Sequence, residues 1–387
     1  MDQAKTNDVT SVSVFYDAIV LGLGGIGSST LYHFAASGAN VLGIEQFQLA
    51  HDQGSSHGET RAIRKAYFEH PSYVPLIQRG YENWRKLEER TGKTLLFEQG
   101  LMEVGPQGGP LISGLESACQ RHALSLEEIS AAKFHERFPG FVLPEDCKCL
   151  YEPDGGYLLV EDCVAAYCEA AEGIGAHIAA KTKVLSWTTQ DGRVQVQTDK
   201  GEFCGERLVI AAGAWASRLL NDVDVKMQVK RKHLHWYSVP PDTYVAKDGS
   251  PVFFYETPNG YYYGFPSLTE ETRGMIKVAE HSHGEDIESP DRLSRSVDSA
   301  EQARVEKFLD EYLGLEQVEA LKHQVCMYTM SPDEHFIVDQ HPEFPQVHFA
   351  AGLSGHGFKF ASVLGEVLAD LSLHGRTKQD VAFLTVN

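Results

Sequence analysis

Apolar and polar positions follow two regimes along the chain. In the first, Tyr16-Asp17-Ala18-Ile19-Val20-Leu21 is a short, mostly aliphatic run that predicts a buried strand. Gly22-Leu23-Gly24-Gly25-Ile26-Gly27 comes next, then a helical face of Leu31, Phe34 and Ala35 that Gly38 ends. Val41–Ile44 is a second apolar strand ending at Glu45, which completes a βαβ unit within about 30 residues. Leu76, Ile77, Gly80, Tyr81, Trp84 and Leu87 recur at helical spacing and predict an amphipathic helix over 72–91, with Pro75 in its first turn. A further helix is expected over 160–172. Strands are expected over 182–189 and 194–197, about a turn at Asp191-Gly192, and over 208–212, running into Gly213.

The second regime covers 226–324. Aromatic and polar residues alternate there, as in His233–Tyr237 and Phe253–Phe265, which predicts an antiparallel sheet with one wet face. A helix is expected over 299–312. The end of the chain returns to the first style, with a strand over 347–351, a glycine-rich turn over 352–357 and a helix over 359–373. No repeat or low-complexity segment interrupts this order. The pattern is one α/β domain from 15–95, 150–225 and 325–387, interrupted by 96–149 and 226–324, which form a second domain; residues 1–14 read as a disordered arm.

Composition narrows the function. A chain of 387 residues with 42% apolar positions has enough for two cores. A formal net charge of −20 sets a field that repels nucleic acid and anionic lipid, so neither is an expected partner. No apolar run is long enough to span a bilayer. The start, Met1-Asp2-Gln3-Ala4-Lys5, lacks the apolar stretch of a signal peptide, and Leu384-Thr385-Val386-Asn387 is no peroxisomal address. Seven cysteines are an odd number without paired metal spacing, so reduced thiols, no metal and a cytoplasmic setting are expected.

The chemistry concentrates in a few stretches. Gly22-x-Gly24-x-x-Gly27 between strand and helix is a dinucleotide fingerprint: Gly22 for the turn, Gly24 for approach of the pyrophosphate to the helix N-terminus, Gly27 for close packing. Glu45 is placed to accept hydrogen bonds from ribose hydroxyls. The fingerprint alone does not separate FAD from NAD; its early position and the return of the chain at 347–373 favour FAD. Gly54-Ser55-Ser56-His57-Gly58-Glu59-Thr60-Arg61-Ala62-Ile63-Arg64 crowds small residues ahead of two arginines, which on a helical turn would face one way. Gly352–Lys359 offers successive backbone N–H groups that suit the negative edge of a reduced flavin, with Lys359 able to meet a carboxylate. Taken singly, Lys359 also reads as an exposed helix lysine, Cys326 as a small buried hydrophobe, His281 as a surface histidine and Tyr263 as core.

These stretches resemble the monomeric sarcosine oxidase and N-methyltryptophan oxidase family from Tyr16 to about Phe383. Four blocks carry the resemblance: Gly54–Arg61 with Ile63-Arg64; Asn259–Ser267; Val325–Thr329 with Ser331–Asp339; and Gly352–Phe360. It implies a Rossmann-like FAD-binding domain with a parallel central sheet, of the glutathione-reductase type, beside an antiparallel-sheet substrate domain. It implies FAD bound covalently through Cys326, with Gly22, Gly24, Gly27, Glu45, Ser55, Arg61, Val184, Gly213, Gly355, His356, Gly357 and Lys359 in the cofactor site. Arg64 and Lys359 then bind a substrate carboxylate, Phe254 lines the pocket, and Lys277 activates oxygen. Arg61, His281, Tyr263 and Tyr328 complete the catalytic set. The sequence departs from the family at Ser56, at Glu59, at Phe254 and in three extra residues within Leu268–Arg273, which bears on the substrate. The implied activity of this expected monomer is oxidation of the C–N bond of a small N-methyl amino acid such as sarcosine. The imine hydrolyses to formaldehyde and an amino acid, and oxygen gives hydrogen peroxide. Oxidation or dehydrogenation of bulkier or cyclic secondary amino acids (N-methyl-tryptophan, proline, pipecolate) is the alternative, and a non-catalytic nucleotide-binding protein the distant one.

Overall fold

Aliphatic runs flanked by glycine set the first layer. In the computed structural model, which describes residues 14–386, the chain begins with β1 (Phe15–Leu21), α1 (Gly25–Ala36), β2 (Val41–Ile44), β3 (Thr60–Ile63) and α2 (Tyr73–Thr91). Then come β4 (Leu96–Phe97), β5 (Leu101–Pro106), α3 (Pro110–His122), β6 (Glu127–Ile129), α4 (Ala131–Arg137), β7 (Cys147–Glu152), β8 (Gly156–Leu159) and α5 (Val160–Glu172). The middle holds β9 (His177–Ala179), β10 (Val184–Gln190), β11 (Arg193–Thr198), β12 (Gly201–Ile210), α6 (Ala216–Leu219), β13 (Gln228–Ser238), β14 (Val252–Thr257), β15 (Gly260–Phe265), β16 (Met275–Glu280) and β17 (Glu285–Ile287). The chain closes with α7 (Ser299–Leu313), β18 (Ala320–Met330), β19 (Ile337–Gln340), β20 (Val347–Ala351) and α8 (Ala361–His374). Apart from Val14, the arm expected over 1–14 lies outside the described residues.

Among the described residues, eight strands form one sheet. β1 pairs in parallel with β2 and with β12, β2 with β9, and β12 with β20. β10 and β11 add an antiparallel meander to the first half of β12. One face of this sheet packs on α1, α2, α5 and α8 through Leu31, Phe34, Trp84, Tyr167 and Leu364, all fully buried. α1 is buried nearly all round, as a helix between a sheet and other helices must be. α2 is amphipathic and ends at Gly92, whose φ of 69° closes a left-handed cap.

The second, nine-stranded sheet runs β17-β13-β16-β15-β14-β5-β7-β6, with β18 on the other side of β13. It is not wholly antiparallel, since β5 and β14 pair in parallel. Nor is one face of β13 wet: His233 and His235 are buried, because α7 and β18 cover that side. The expected boundaries at 149/150 and 324/325 fall inside β7 and β18, whose pairing partners hold both strands in this sheet. A three-stranded sheet, β3-β8-β4, lies apart from both.

Candidate active site

The loop after β1 is shaped by two glycines. Gly22 has φ +85°, a left-handed conformation that favours glycine, and a Cβ on Gly27 would lie 1.7 Å from the Gly22 carbonyl oxygen. The helix that follows is capped by Gly24, which brings no side chain to the turn, so the N–H groups of α1 open towards a cavity. Glu45 ends this site: it is buried, Oε2 accepts the Leu23 N–H (2.8 Å), Oε1 accepts the Phe47 N–H (2.9 Å), and His51 Nε2 lies at 3.2 Å.

The cavity, of about 310 Å³, runs from Glu45 and Val184 past Gly22, Gly24 and Gly213 to Ser55, Arg61, Tyr328, Gly355 and Gly357. Its volume falls within the usual range for ligand sites. Gly27 lies beneath this wall, as close helix–strand packing requires. His356 does not line it: Nδ1 meets the Tyr67 hydroxyl at 2.5 Å and Nε2 the Glu334 carbonyl at 3.0 Å. Lys359 stands behind it too, in a 3₁₀ turn (Phe358–Phe360) that precedes α8.

Cys326, on β18 next to the cavity-lining Met327, is buried. Arg61 Nη2 lies 3.4 Å from its sulfur and donates to the Ser55 carbonyl at 2.9 Å. Burial opposes ionisation of the thiol, but the Arg61 guanidinium, helped by His57, outweighs it and lowers the pKa to about 6. Arg61 and Arg64 are not on a helical turn. Arg61 lies in β3, held against β8, and Arg64 follows the strand's end.

Lys277, on β16, is buried and donates to the carbonyls of Gly58 (2.5 Å) and Thr60 (2.9 Å) and to the Thr60 hydroxyl (3.1 Å). Burial, then the charge of Arg61, holds it well below the ordinary lysine range. The loop Gly54–Thr60 thus connects the arginine and the lysine.

Arg64 and Lys359 both lie against the ring of Tyr67, at 4.8 Å and 5.3 Å from its centroid. Arg64 also lies 4.8 Å from the Phe68 ring and 5.6 Å from that of Phe254. Phe254 points inward, stacked on Tyr261 with ring centroids 5.6 Å apart. His281 completes this wall: Nδ1 is 3.2 Å from the Tyr328 hydroxyl, and its ring is 6.2 Å from that of Tyr263. Burial, reinforced by Lys232, lowers His281 to about 3, so the ring is neutral. The extra residues at Leu268–Arg273 join the far ends of β15 and β16, away from Tyr261 and His281, where Arg273 pairs with Asp242 and Lys247 with Glu270. That loop does not shape this wall.

Two acids outside the set expected from the sequence stand against Arg64. Arg64 Nη2 binds both oxygens of Glu69 (2.8 and 2.7 Å), and Arg64 Nε lies 3.5 Å from Glu103. Burial opposes the charge on Glu69, yet Arg64 pulls its pKa to about 2. Glu103 is fully buried, and burial raises it well above the carboxylate range despite Arg64. A lone acid in the apolar run Leu101-Met102-Glu103-Val104 was a readable signal, because a buried carboxyl needs a partner. Glu69, five residues beyond Arg64, gave none.

A glycine turn at a helix N-terminus, a buried carboxylate at the end of the second strand and a cavity running between them and a buried thiol fit a flavoprotein oxidoreductase. The chain belongs to the family described as FAD dependent oxidoreductase, which it matches over residues 17–371. It is 35% identical over 383 residues to a monomeric sarcosine oxidase of Arthrobacter sp. (strain TE1826), covering 97% of both chains. It is 35% identical over 356 residues to an N-methyl-L-tryptophan oxidase of Yersinia pestis (strain Pestoides F), covering 92% of this chain and 94% of the other. In fold it is similar to NikD, an amino acid oxidase of nikkomycin biosynthesis, with a TM-score of 0.82 at 23% identity over 96% of this chain and 97% of that one. No helix among the described residues is long and apolar enough to cross a membrane, and all seven cysteines are unpaired.

Proposed function

We propose that the protein oxidises the C–N bond of a small N-methyl amino acid, sarcosine being the type, and passes the electrons to oxygen. The observation that carries this reading is the placing of both Arg64 and Lys359 against the ring of Tyr67, beside an aromatic wall. Glu69 balances one of these two buried cations, and the α-carboxylate of an amino acid supplies charge-assisted hydrogen bonds to the pair. Phe254 narrows the space left for a side chain, which supports a small substrate over N-methyl-tryptophan, proline or pipecolate.

The bound FAD supplies the hydride acceptor. Arg64 and Lys359 orient the substrate by its carboxylate, and their charge favours the neutral amine from which hydride is lost. His281 and the Tyr328 hydroxyl form the polar part of an otherwise apolar wall, with Tyr263 closing it. Lys277, which donates to Gly58 and Thr60, is placed to stabilise the negative charge that develops on oxygen, which in turn favours its protonated form. Gly22, Gly24, Glu45, Ser55, Val184, Gly213, Gly355 and Gly357 hold the cofactor from the cavity wall, with Gly27 beneath and His356 bracing the last turn through Tyr67. Cys326 is the attachment point for its 8α carbon. The reduced thiols suit a cytoplasmic monomer.

The test is oxygen consumption and peroxide formation with sarcosine, N-methyl-tryptophan, proline and pipecolate, each against the amine lacking its carboxyl group. Sarcosine should give the highest kcat/KM. Amines without the carboxylate that serve equally well would overturn the role of Arg64 and Lys359.

A further inference from the structure

β13 and β18 are antiparallel neighbours, and His235 stands opposite His323 in their register. His233, two residues back, projects from the same face as His235. The three rings converge. Their centroids are 5.1 Å apart for His233 and His323, 5.1 Å for His235 and His323 and 6.0 Å for His233 and His235. One nitrogen from each lies within 4.8 Å of the other two. We propose that His233, His235 and His323 form a binding site for one divalent transition-metal ion of the zinc class, braced by Glu301.

Several features argue for an ion rather than a packed histidine cluster. His233 Nδ1 and His323 Nε2 are 2.8 Å apart, so one nitrogen of each ring already faces the other, and loss of the proton between them would free both for an ion. Tetrahedral ligands with metal–nitrogen bonds of about 2.0–2.1 Å lie about 3.3 Å from one another, so small side-chain rotations convert this contact into coordination. Glu301, from α7, places Oε2 2.6 Å from His235 Nε2, the carboxylate–histidine pairing that fixes the ring of a metal ligand. Its Oε1 is buried without a hydrogen-bond partner, so one oxygen of this carboxylate is left unsatisfied beside the rings. Arg231, next on the same face, is tied to Glu285 at 2.9 Å and to Ser296, and burial, helped by its nearby charge, favours the neutral, ligating form of His233 and His323. His233 and His235 are buried and His323 is partly open, which gives an entry path.

Three imidazoles select zinc, nickel, cobalt or copper over magnesium and calcium, which take oxygen ligands. The ion would tie β13 to β18 and, through Glu301, to α7. β18 also carries Cys326 three residues further on, so the tie would steady that strand. This departs from the absence of metal expected from the cysteines: the ligands are histidines separated by 88 residues at the longest step, and only strand pairing brings them together.

The experiment uses untagged flavin-loaded protein, treated with chelator, dialysed, then titrated with Co²⁺ and with Zn²⁺. One equivalent of Co²⁺ should give the intense visible bands of a four-coordinate ion, and Zn²⁺ should displace it and raise the midpoint of thermal unfolding. His235→Gln and His323→Gln should each weaken binding by a hundredfold or more, and Glu301→Gln by about ten- to a hundredfold. Wild-type protein that shows no such Co²⁺ spectrum and no zinc-dependent thermal shift overturns the proposal without any variant. Binding that survives in a His235→Gln, His323→Gln double variant also overturns it, because the ion then sits elsewhere.

Discussion

The guanidinium of Arg61 lies 3.4 Å from the sulfur of Cys326, across 265 residues of chain, and it sets the protonation state of that thiol. Burial by itself favours the neutral thiol; beside Arg61 and His57 the pKa is instead about 6, so the nucleophilic thiolate predominates at neutral pH.

A covalent flavin should follow from this. Yellow colour is expected to stay with the wild-type precipitate in acid and to pass into the supernatant for Cys326→Ala. The rate of attachment of added FAD to apoprotein should rise with pH through about 6 and then level, as the thiolate forms. Wild-type flavin recovered wholly in the acid supernatant would refute the link.

On the proposed reading, Lys277 acts on oxygen rather than on the amine. One well-placed charge in a dry site contributes about 3–4 kcal/mol, so Lys277→Met should slow re-oxidation of reduced flavin by two to three orders of magnitude. Anaerobic reduction by substrate should change far less. Stopped-flow traces in which both half-reactions slow equally would instead mean that the Lys277 contacts to Gly58 and Thr60 hold the whole loop in place.

Much of this arrangement was legible in the sequence because it depends on local spacing. The fingerprint Gly22-x-Gly24-x-x-Gly27 lies where strand and helix periods meet, and α2, α5 and α7 fall within two residues of their expected limits. What escaped depends on pairing across the chain. The second sheet contains β18 because β13 pairs with it along nearly its full length, and no local pattern announces that. Arg61 and Arg64 looked helical by spacing alone, but pairing with β8 draws residues 60–63 into a strand. Glu69 and Glu103 matter only because folding brings both to Arg64, an encounter across 39 residues in the second case.

Lys359 predicts a pH dependence. Burial and the nearby Arg64 lower its pKa from 10.5 to about 7. Between those values the unfolded chain holds a proton that the folded protein lacks, so stability rises with pH across roughly 7 to 10.5. The same shift makes carboxylate binding weaken as pH rises through about 7, because a carboxylate needs the lysine charged. Lys359→Met should flatten both profiles. Acetate affinity, read from flavin absorbance, and urea unfolding across this range check the two arms; an unchanged slope in the variant would assign the proton elsewhere.

The last prediction concerns what a substrate must displace. Arg64 is held by Glu69 at 2.7 Å, so an incoming carboxylate competes with a carboxylate already in place. Glu69→Gln keeps the shape and removes the charge. It should lower KM for sarcosine several-fold and strengthen acetate binding, while an amine without a carboxyl group is handled as before. Arg64→Met is the harsher change. It strands Glu69 and Glu103 beside a cation-poor wall, and removing one partner of a buried pair costs about 3–5 kcal/mol, so lost stability would mask lost binding. Glu103 offers a cleaner control. Burial raises its pKa well above the carboxylate range, so Glu103→Gln should change KM and stability less than Glu69→Gln does. A Glu69→Gln variant whose KM for sarcosine rises would mean that Glu69 positions Arg64 for the substrate instead of competing with it. A Glu103→Gln variant that loses binding would mean that Glu103 is charged and that Arg64 depends on both acids.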